Sequence, residues 1–430
     1  MSKYKIIGNM TGNSMDAIDL VLTEFDGNDI KDICSFTKPY TKDMQTKIEN
    51  LRTLVFNKTR KEIENIPCFK SIHDEYVTQI AESINEMLEQ NNIDKNTIDA
   101  IGFHGKTLDH NPPSKAHLDN TQAYTLQIGS GQMLANLSQI PVVYDFRSSP
   151  LMAGFDGAPL VSPHNARISS IEGDGCYYNG GNTSNFAIIS NHKPIINADA
   201  GPFNEYIDNY IRLNTSETFD KDGMFGKKGN LNKTLLQNLF DFGRSYYETP
   251  LPKSGDPAYY KKEEIFHYLQ QQNIKLEDII HTLEYFSAYI AVQALTLLPP
   301  TIQIPHKFIL FGGGWKNPIV KDSFKLILSG QGYILPEHQN QFIQLYSRIT
   351  KPVIINNSKF GDYMEARLFA DMAYHKLTNQ AWPIPEIVQA KKEIICGRIA
   401  KPNTQNNKFS DMINLAAKGW QQEQPQTMED

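Results

Sequence analysis

The sequence predicts an α/β protein of two lobes, and three observations carry the prediction. The chain opens on an apolar strand, Lys5 to Gly8, that runs into the polar stretch Asn9 to Asp16 and out into a second strand, Ile18 to Phe25. The same pattern returns later: Cys176-Tyr177-Tyr178, a Gly/Asn/Thr/Ser turn from Asn179 to Asn185, then Phe186 to Ile189. Between and after these hairpins, strands and amphipathic helices alternate, as in an α/β layer with mixed or parallel pairing. At 430 residues the chain exceeds the size at which one hydrophobic core stops growing, so two domains are expected.

The elements follow in order. Lys42 to Phe56 and Phe69 to Glu89 read as helices, the second with Ile72, Tyr76, Ile80, Ile84 and Leu88 on one face. Strands are expected at Ala100 to Phe103, Tyr124 to Ile128 and Val142 to Phe146, with a helix near Met133 to Ser138. After the second hairpin come helices at Asn204 to Leu213 and Thr282 to Leu298. A strand from Phe308 then runs straight into Gly312-Gly313-Gly314. Val353 to Ile355 reads as a strand and Asp362 to Leu377 as a helix. Thr404 to Asp430, rich in Asn, Gln and charge, reads as a loose tail. The expected division is residues 1–143 plus about 385–410 for the N-terminal lobe and 144–384 for the C-terminal lobe, with 411–430 as tail.

Composition narrows the function. Hydrophobic residues at 40% and charged residues at 21% are ordinary globular values. A net charge of −6 argues against nucleic acid or an anionic membrane as partner, though not against a small anionic ligand. The four cysteines show no CxxC spacing and read as reduced thiols. No apolar run is long enough to span a bilayer and no signal core stands at the start, so a cytoplasmic protein is expected.

The hairpin tips carry the candidate chemistry. Gly12 lets backbone approach a ligand, successive N–H groups in such a turn form an anion-binding concavity, and Thr11 and Ser14 add hydroxyl donors. Asp16 is placed to hold Mg²⁺ against phosphate oxygens. Taken singly, each tip is an ordinary polar turn. Two such tips and a strand ending in three glycines, in that order, match the ATP framework of the actin, hexokinase and Hsp70 group. ATP is then expected against Gly12, Asn13, Ser14, Met15, Asp16, Ala17, Ile18 and Asp19 of the first tip. Gly180 and Gly181 of the second tip, with Gly312, Gly313 and Gly314, complete the expected nucleotide contacts.

Read in order, the motifs are more specific. GNMTGNSMDAID (Gly8 to Asp19), GFHGKTLDHNP (Gly102 to Pro112), TLQIG from Thr125 and VVYDFR from Val142 are one set. AGFDGAPLVSP from Ala153, DAGPFN from Asp199, FGGGWKNP from Phe311 and GDYMEARLFA from Gly361 are another. Together they resemble the anhydro-N-acetylmuramic acid kinase family from about Lys5 to Pro402. The chain departs from that family's pattern in places. Ser148-Ser149-Pro150 stands where the family has an arginine-rich run, and Lys253-Ser254-Gly255-Asp256-Pro257 has lost an arginine.

The resemblance implies an actin/hexokinase-like, ribonuclease H-like fold with the active site in the cleft between lobes. It implies an ATP- and Mg²⁺-dependent kinase that opens the 1,6-anhydro bridge of an amino sugar with water and phosphorylates the freed O6. Asp199 is the expected base. Read from the residues alone, a base at a strand end and an N-cap for the helix from Asn204 stand about even; the resemblance selects the base. It also implies that Glu365, which read alone only offsets the dipole of its helix, bonds sugar hydroxyls; His104 reads first as a buried, hydrogen-bonded histidine, with a sugar-side contact as the alternative. Asp145 and Arg147 are either a structural ion pair or the grip on the sugar's lactyl carboxylate. Kinases of this kind often pair, so a homodimer is compatible with the resemblance. The other readings are a kinase for a different sugar and a nucleotide-binding scaffold; retention of both Asp199 and Glu365 argues against the scaffold.

Overall fold

The computed structural model describes residues 3–12, 15–56, 58–113, 116, 122–158, 160–255, 260–355, 360–383, 394–402 and 412–417. Its strands, in chain order, are β1 (Tyr4–Thr11), β2 (Ala17–Asp26), β3 (Asp29–Pro39), β4 (Ala100–Phe103), β5 (Lys106–Asn111), β6 (Tyr124–Ile128) and β7 (Val142–Tyr144). They continue as β8 (Gly175–Gly180), β9 (Thr183–Ser190), β10 (Lys193–Pro202), β11 (Lys307–Phe311), β12 (Val353–Ile355), β13 (Arg398–Ala400) and β14 (Ile413–Ala417). By packing, the chain divides into two units. One takes Met1–Ala158, Glu365–Trp382 and Lys392–Asp430, and the other takes Pro159–Met364 and Pro383–Lys391. The helix Met364–Leu377, expected in the second lobe, therefore groups almost wholly with the first.

Within the first unit the main sheet runs β13-β7-β4-β1-β2-β3. β1, β2 and β3 form an antiparallel meander, whereas β4 lies parallel to β1 and β7 parallel to β4. The opening hairpin is as expected, in register from Tyr4↔Phe25 to Thr11↔Ile18. β3 escapes sequence reading because its outward residues are mostly charged or polar and only Ile30 is buried, the other inward positions being half-buried. A smaller sheet, β14-β6-β5, is built from the stretch after His104 and from the expected tail. That tail is not wholly loose: β14 pairs antiparallel with β6.

The second unit repeats the plan. Its sheet runs β10-β9-β8-β11-β12, an antiparallel meander of β8, β9 and β10 followed by β11 and β12 in parallel. Each unit thus carries the ribonuclease H-like strand order 3-2-1-4-5, with the hairpin tip of its first two strands at the carboxyl ends of its parallel strands. In open α/β sheets that edge is where ligands bind.

Each sheet is covered by its own helical core. In the first unit the helix Phe69–Gln90 buries Ile72, Tyr76, Ile80, Ile84 and Leu88, the stripe read from the sequence, and Phe69 besides. In the second the helix Leu276–Thr296 is buried on nearly every side and anchors the largest apolar cluster.

The opposite face of the first sheet holds the helix Met364–Leu377 at very short range. Gly8 and Gly102 stand opposite each other on β1 and β4. A Cβ on Gly8 would lie 1.8 Å from the carbonyl oxygen of Ala366, and one on Gly102 would lie 2.1 Å from that of Phe369. Two bare positions let helix backbone rest on strand backbone. Arg367 fixes the helix in rotation: buried, it forms a forked ion pair with Asp32 of β3, Nε donating to Oδ1 at 2.9 Å. The first turn of this helix carries Glu365.

Candidate active site

The first tip is held from behind. Thr11 at the end of β1 is buried, its Oγ1 3.0 Å from the Tyr40 hydroxyl and 3.3 Å from that of Tyr76. The backbone N–H of Tyr40 donates to the Asp16 carbonyl, and Lys106 Nζ donates to the Gly12 carbonyl at 2.7 Å. Asn13 and Ser14 lie outside the described residues. A positive φ falls on Met15 (53°). Met15 and Ile18 turn their side chains into the core, so only their backbone is offered to a ligand. Ala17 and Asp19 are half-buried, and Asp19 Oδ1 accepts from Thr37; burial and the neighbouring Asp16 raise its carboxyl. Asp16 offers an exposed carboxylate.

Lys106 is the group that sequence reading passed over here. Its side chain is buried; burial and the Arg52 charge push its ammonium down to about 7, against the pull of Glu49, Asp16 and Glu365. Its electrostatic neighbours therefore join the tip to Glu365, which is exposed on its own helix. His104 and Arg147 form a second cluster in the same unit. Arg147 Nε donates to His104 Nε2 at 3.0 Å and its Nη1 donates to the Gly157 carbonyl at 2.6 Å. Burial and the charges of Arg147 and Lys106 hold His104 well below its ordinary value, so it is a neutral acceptor stacked on Phe369.

Asp145 and Arg147 do not pair with each other. Asp145 instead accepts from the Ser148 hydroxyl and lies 4.0 Å from Arg398 Nη1. Burial pushes its carboxyl up to about 6, against that hydroxyl and Arg398. Its φ of +62° is unusual for a non-glycine residue and aims the strand end sharply. The serine in place of the family's charged run is thus spent on orienting Asp145.

In the second unit the second tip, the glycine triplet and Asp199 come together. Gly312, at φ +94°, presses on the second tip: a Cβ there would lie 2.5 Å from Asn179 Oδ1 and 2.8 Å from the Gly180 carbonyl. Gly180 and Gly314 are equally confined, by Trp315 and Phe203 and by Asn204 and Phe203. Around Gly313 nothing stands within 4 Å of a built Cβ, and around Gly181 nothing closer than 3.6 Å. Three glycines therefore serve packing and two present open backbone. The carbonyls of Gly181 and Asn182 accept the N–H groups of Asn204, Phe203 and Glu205, so the tip itself satisfies the start of the helix Asn204–Asn214.

That capping settles the alternative for Asp199, which is no N-cap. It stands at the end of β10, where the register slips between Asp199 and Gly201, a bulge that re-aims the side chain. Its Oδ2 accepts from the Gly255 N–H at 2.5 Å, and its own N–H donates to the Lys253 carbonyl at 2.9 Å. The phenols of Tyr246 and Tyr260 feel its charge, and the Tyr260 hydroxyl reaches Thr183 Oγ1 at 3.4 Å. Nothing periodic in the sequence marks Lys253, Tyr246 or Tyr260; only the chain's return from the helix Lys233–Tyr247 brings them to Asp199.

Among the described residues no group of three or more His, Cys, Asp or Glu side chains could hold a metal ion. One exposed carboxylate on the first tip suits Mg²⁺, which keeps waters and takes phosphate oxygens rather than an all-protein cage. No helix among the described residues is long and apolar enough to cross a membrane.

A model of the anhydro-N-acetylmuramic acid kinase family matches residues 4–402. The chain belongs to that family. Anhydro-N-acetylmuramic acid kinase of Vibrio vulnificus (strain CMCP6) is 28% identical over 394 residues, covering 91% of this chain and 96% of that one. The enzyme of the same name from Actinobacillus pleuropneumoniae serotype 7 is 28% identical over 409 residues, covering 93% and 99%. Among solved structures, component A of the Acidaminococcus fermentans (R)-2-hydroxyglutaryl-CoA dehydratase is 11% identical, with a TM-score of 0.40 over 87% of this chain and 99% of that one. At that score the likeness adds nothing to the strand order above. In this family member the DAGP turn, the glycine triplet and the second tip sit in one unit, and the MEA helix, Lys106, His104 and Arg147 in the other.

A buried acid lies beneath the glycine triplet. Glu284, fully buried, accepts from Asn317 Nδ2 at 2.6 Å, while Asn317 Oδ1 caps the helix Pro318–Leu328. Gly226 is pressed against the same carboxyl. Burial and a hydrogen bond with Asp220 push Glu284 up to about 9, so at neutral pH the folded protein holds a proton. The unfolded chain releases it above the ordinary value of 4.5. Folded stability attributable to this group therefore falls as pH rises between those values. Glu284→Gln, a mimic of the protonated acid, is expected to match wild type in Tm near pH 5 and exceed it at pH 8. A Tm difference between the two proteins that is constant over that range would contradict the assignment.

Proposed function

We propose that this protein is an ATP-dependent kinase that opens the 1,6-anhydro bridge of anhydro-N-acetylmuramic acid and phosphorylates O6. It would act in the cytoplasm, in reuse of cell-wall amino sugar. The observation that carries the reading is the seating of Asp199: a carboxylate on a bulged strand end, held by the Gly255 N–H and flanked by the phenols of Tyr246 and Tyr260. It stands on the same unit as the open backbone of Gly181 and Gly313.

The chemistry balances with that residue as base. Asp199 takes a proton from water as the water oxygen bonds to C1 and the C1–O6 bond breaks. The freed O6 attacks the γ-phosphorus of ATP, the bond to the bridging oxygen breaks, and ADP leaves. Asp199 then returns its proton to solvent. Backbone N–H groups of the two tips and the glycine triplet would receive phosphate oxygens. Lys106 holds the first tip's carbonyl in place. Mg²⁺, held by Asp16 when bound, would neutralise phosphate charge. Glu365 would bond sugar hydroxyls, and Arg147, braced by His104, would meet the lactyl carboxylate.

The test is ADP release measured with the anhydro-sugar, with its analogue lacking the lactyl group, and with the already opened sugar. The proposal expects turnover on the first and a raised KM on the second. ADP release that is indifferent to the anhydro bridge would remove it.

A further inference from the structure

We propose that Lys253 is a positioning residue for Asp199, one that fixes the carboxylate in place and holds it in its ionised form. The inference rests on Asp199 being the base. Lys253 is buried, yet its contacts all lead to that carboxylate or to the elements that frame it. Its Nζ donates to the carbonyls of Tyr246 and Tyr247, both at 2.9 Å. These close the helix Lys233–Tyr247, where carbonyls lack partners within the helix and the helix dipole favours a cation. The ammonium also lies 4.6 Å from the centre of the Tyr246 ring.

The backbone of the same residue completes the frame. The Lys253 carbonyl accepts the Asp199 N–H at 2.9 Å, and two residues on, the Gly255 N–H donates to Asp199 Oδ2. Gly255 admits no side chain there: a Cβ would lie 2.3 Å from the Tyr260 hydroxyl and 3.2 Å from Asp199 Oδ2. One short segment thus joins a helix end to the bulged end of β10, with the lysine as its rivet.

The titratable groups that face this ammonium are Asp199 from β10 and the Tyr246 phenol from the helix; Tyr260 closes the far side of Asp199. Burial pushes Lys253 down to about 7, and the Asp199 charge opposes that shift. Below that pH the ammonium favours the carboxylate anion; above it the charge is lost, though an amine can still donate to the two carbonyls.

The test is the pH profile of kcat/KM for Lys253→Met and Lys253→Arg beside wild type, with nucleotide affinity and Tm measured on each. In Lys253→Met the missing cation should raise the pKa of Asp199, moving the acid limb up by about one pH unit, with a rate loss of about tenfold or more at pH 7. Lys253→Arg should restore the acid limb and most of the rate, because a guanidinium keeps a cation at the same place. Should Lys253→Met not fold, Lys253→Gln, which keeps a donor for the carbonyls without the charge, takes its place. A folded uncharged variant with the wild-type acid limb, or a Lys253→Arg whose acid limb moves as far as that of the uncharged variant, would overturn the proposal. Asp199→Asn separates the two ideas. If it is inactive while the Lys253 variants keep wild-type profiles, only the lysine proposal fails; if it is active, the base assignment fails with it.

Discussion

Asp199→Asn is expected to lower kcat by ~10²–10⁴-fold while leaving nucleotide and sugar affinities near wild type. The size follows from the role. An amide of the same shape still accepts the Gly255 N–H through its oxygen, so the bulged end of β10 and the segment from Lys253 should keep their places. What disappears is the capacity to take a proton from water as its oxygen reaches C1. A loss confined to kcat, with Kd for ATP and for sugar unmoved, marks a group that acts in the transition state rather than in binding. A variant that keeps more than about a tenth of wild-type kcat sinks the assignment.

Gly8→Ala should be the most damaging single methyl in the first unit. The added carbon would sit 1.8 Å from the Ala366 carbonyl oxygen and 3.0 Å from the Ala370 nitrogen. Both neighbours are helix backbone, so no side chain can rotate aside. The helix Met364–Leu377 must lift, and Arg367, forked onto Asp32, resists that movement. Overpacking against yielding side chains costs about 1–3 kcal/mol, and rigid backbone places this site at or above the upper end. Denaturant unfolding should show a loss of about 3 kcal/mol or more, or no soluble protein. Gly313→Ala is the control, since nothing stands within 4 Å of its built Cβ and stability should be unchanged. Equal stability of the two variants would contradict the close packing of helix on sheet.

What the sequence made legible and what it hid have physical reasons. Both hairpins, the helix Phe69–Gln90 and the strand into Gly312 were readable because local periodicity and glycine position set them. β3 was not, because it carries charged and polar residues that a single-strand reading takes for loop, and of β10 only the end at Asp199 was read. β14 was hidden inside a polar tail, since its strand character depends on pairing with β6. The glycines looked alike in the sequence, yet Gly180, Gly312 and Gly314 are confined by packing while Gly313 faces open space and Gly181 meets only ordinary contacts. Asp145 and Arg147, two residues apart, looked like a pair; the positive φ at Asp145 turns them to different partners. The burial of Lys106, Lys253 and Glu284 was hidden because a buried charge or acid is defined by what packs on it.

The central claim is that one site opens the anhydro bridge with water and sends the phosphoryl group to the sugar's O6. Running the reaction with ATP and the anhydro-sugar in ¹⁸O-labelled water, then reading the product by mass spectrometry, tests it most directly. The account predicts one labelled oxygen at C1 of the sugar 6-phosphate, with none in the transferred phosphate. Label in released inorganic phosphate, with the anhydro-sugar recovered intact, would contradict it.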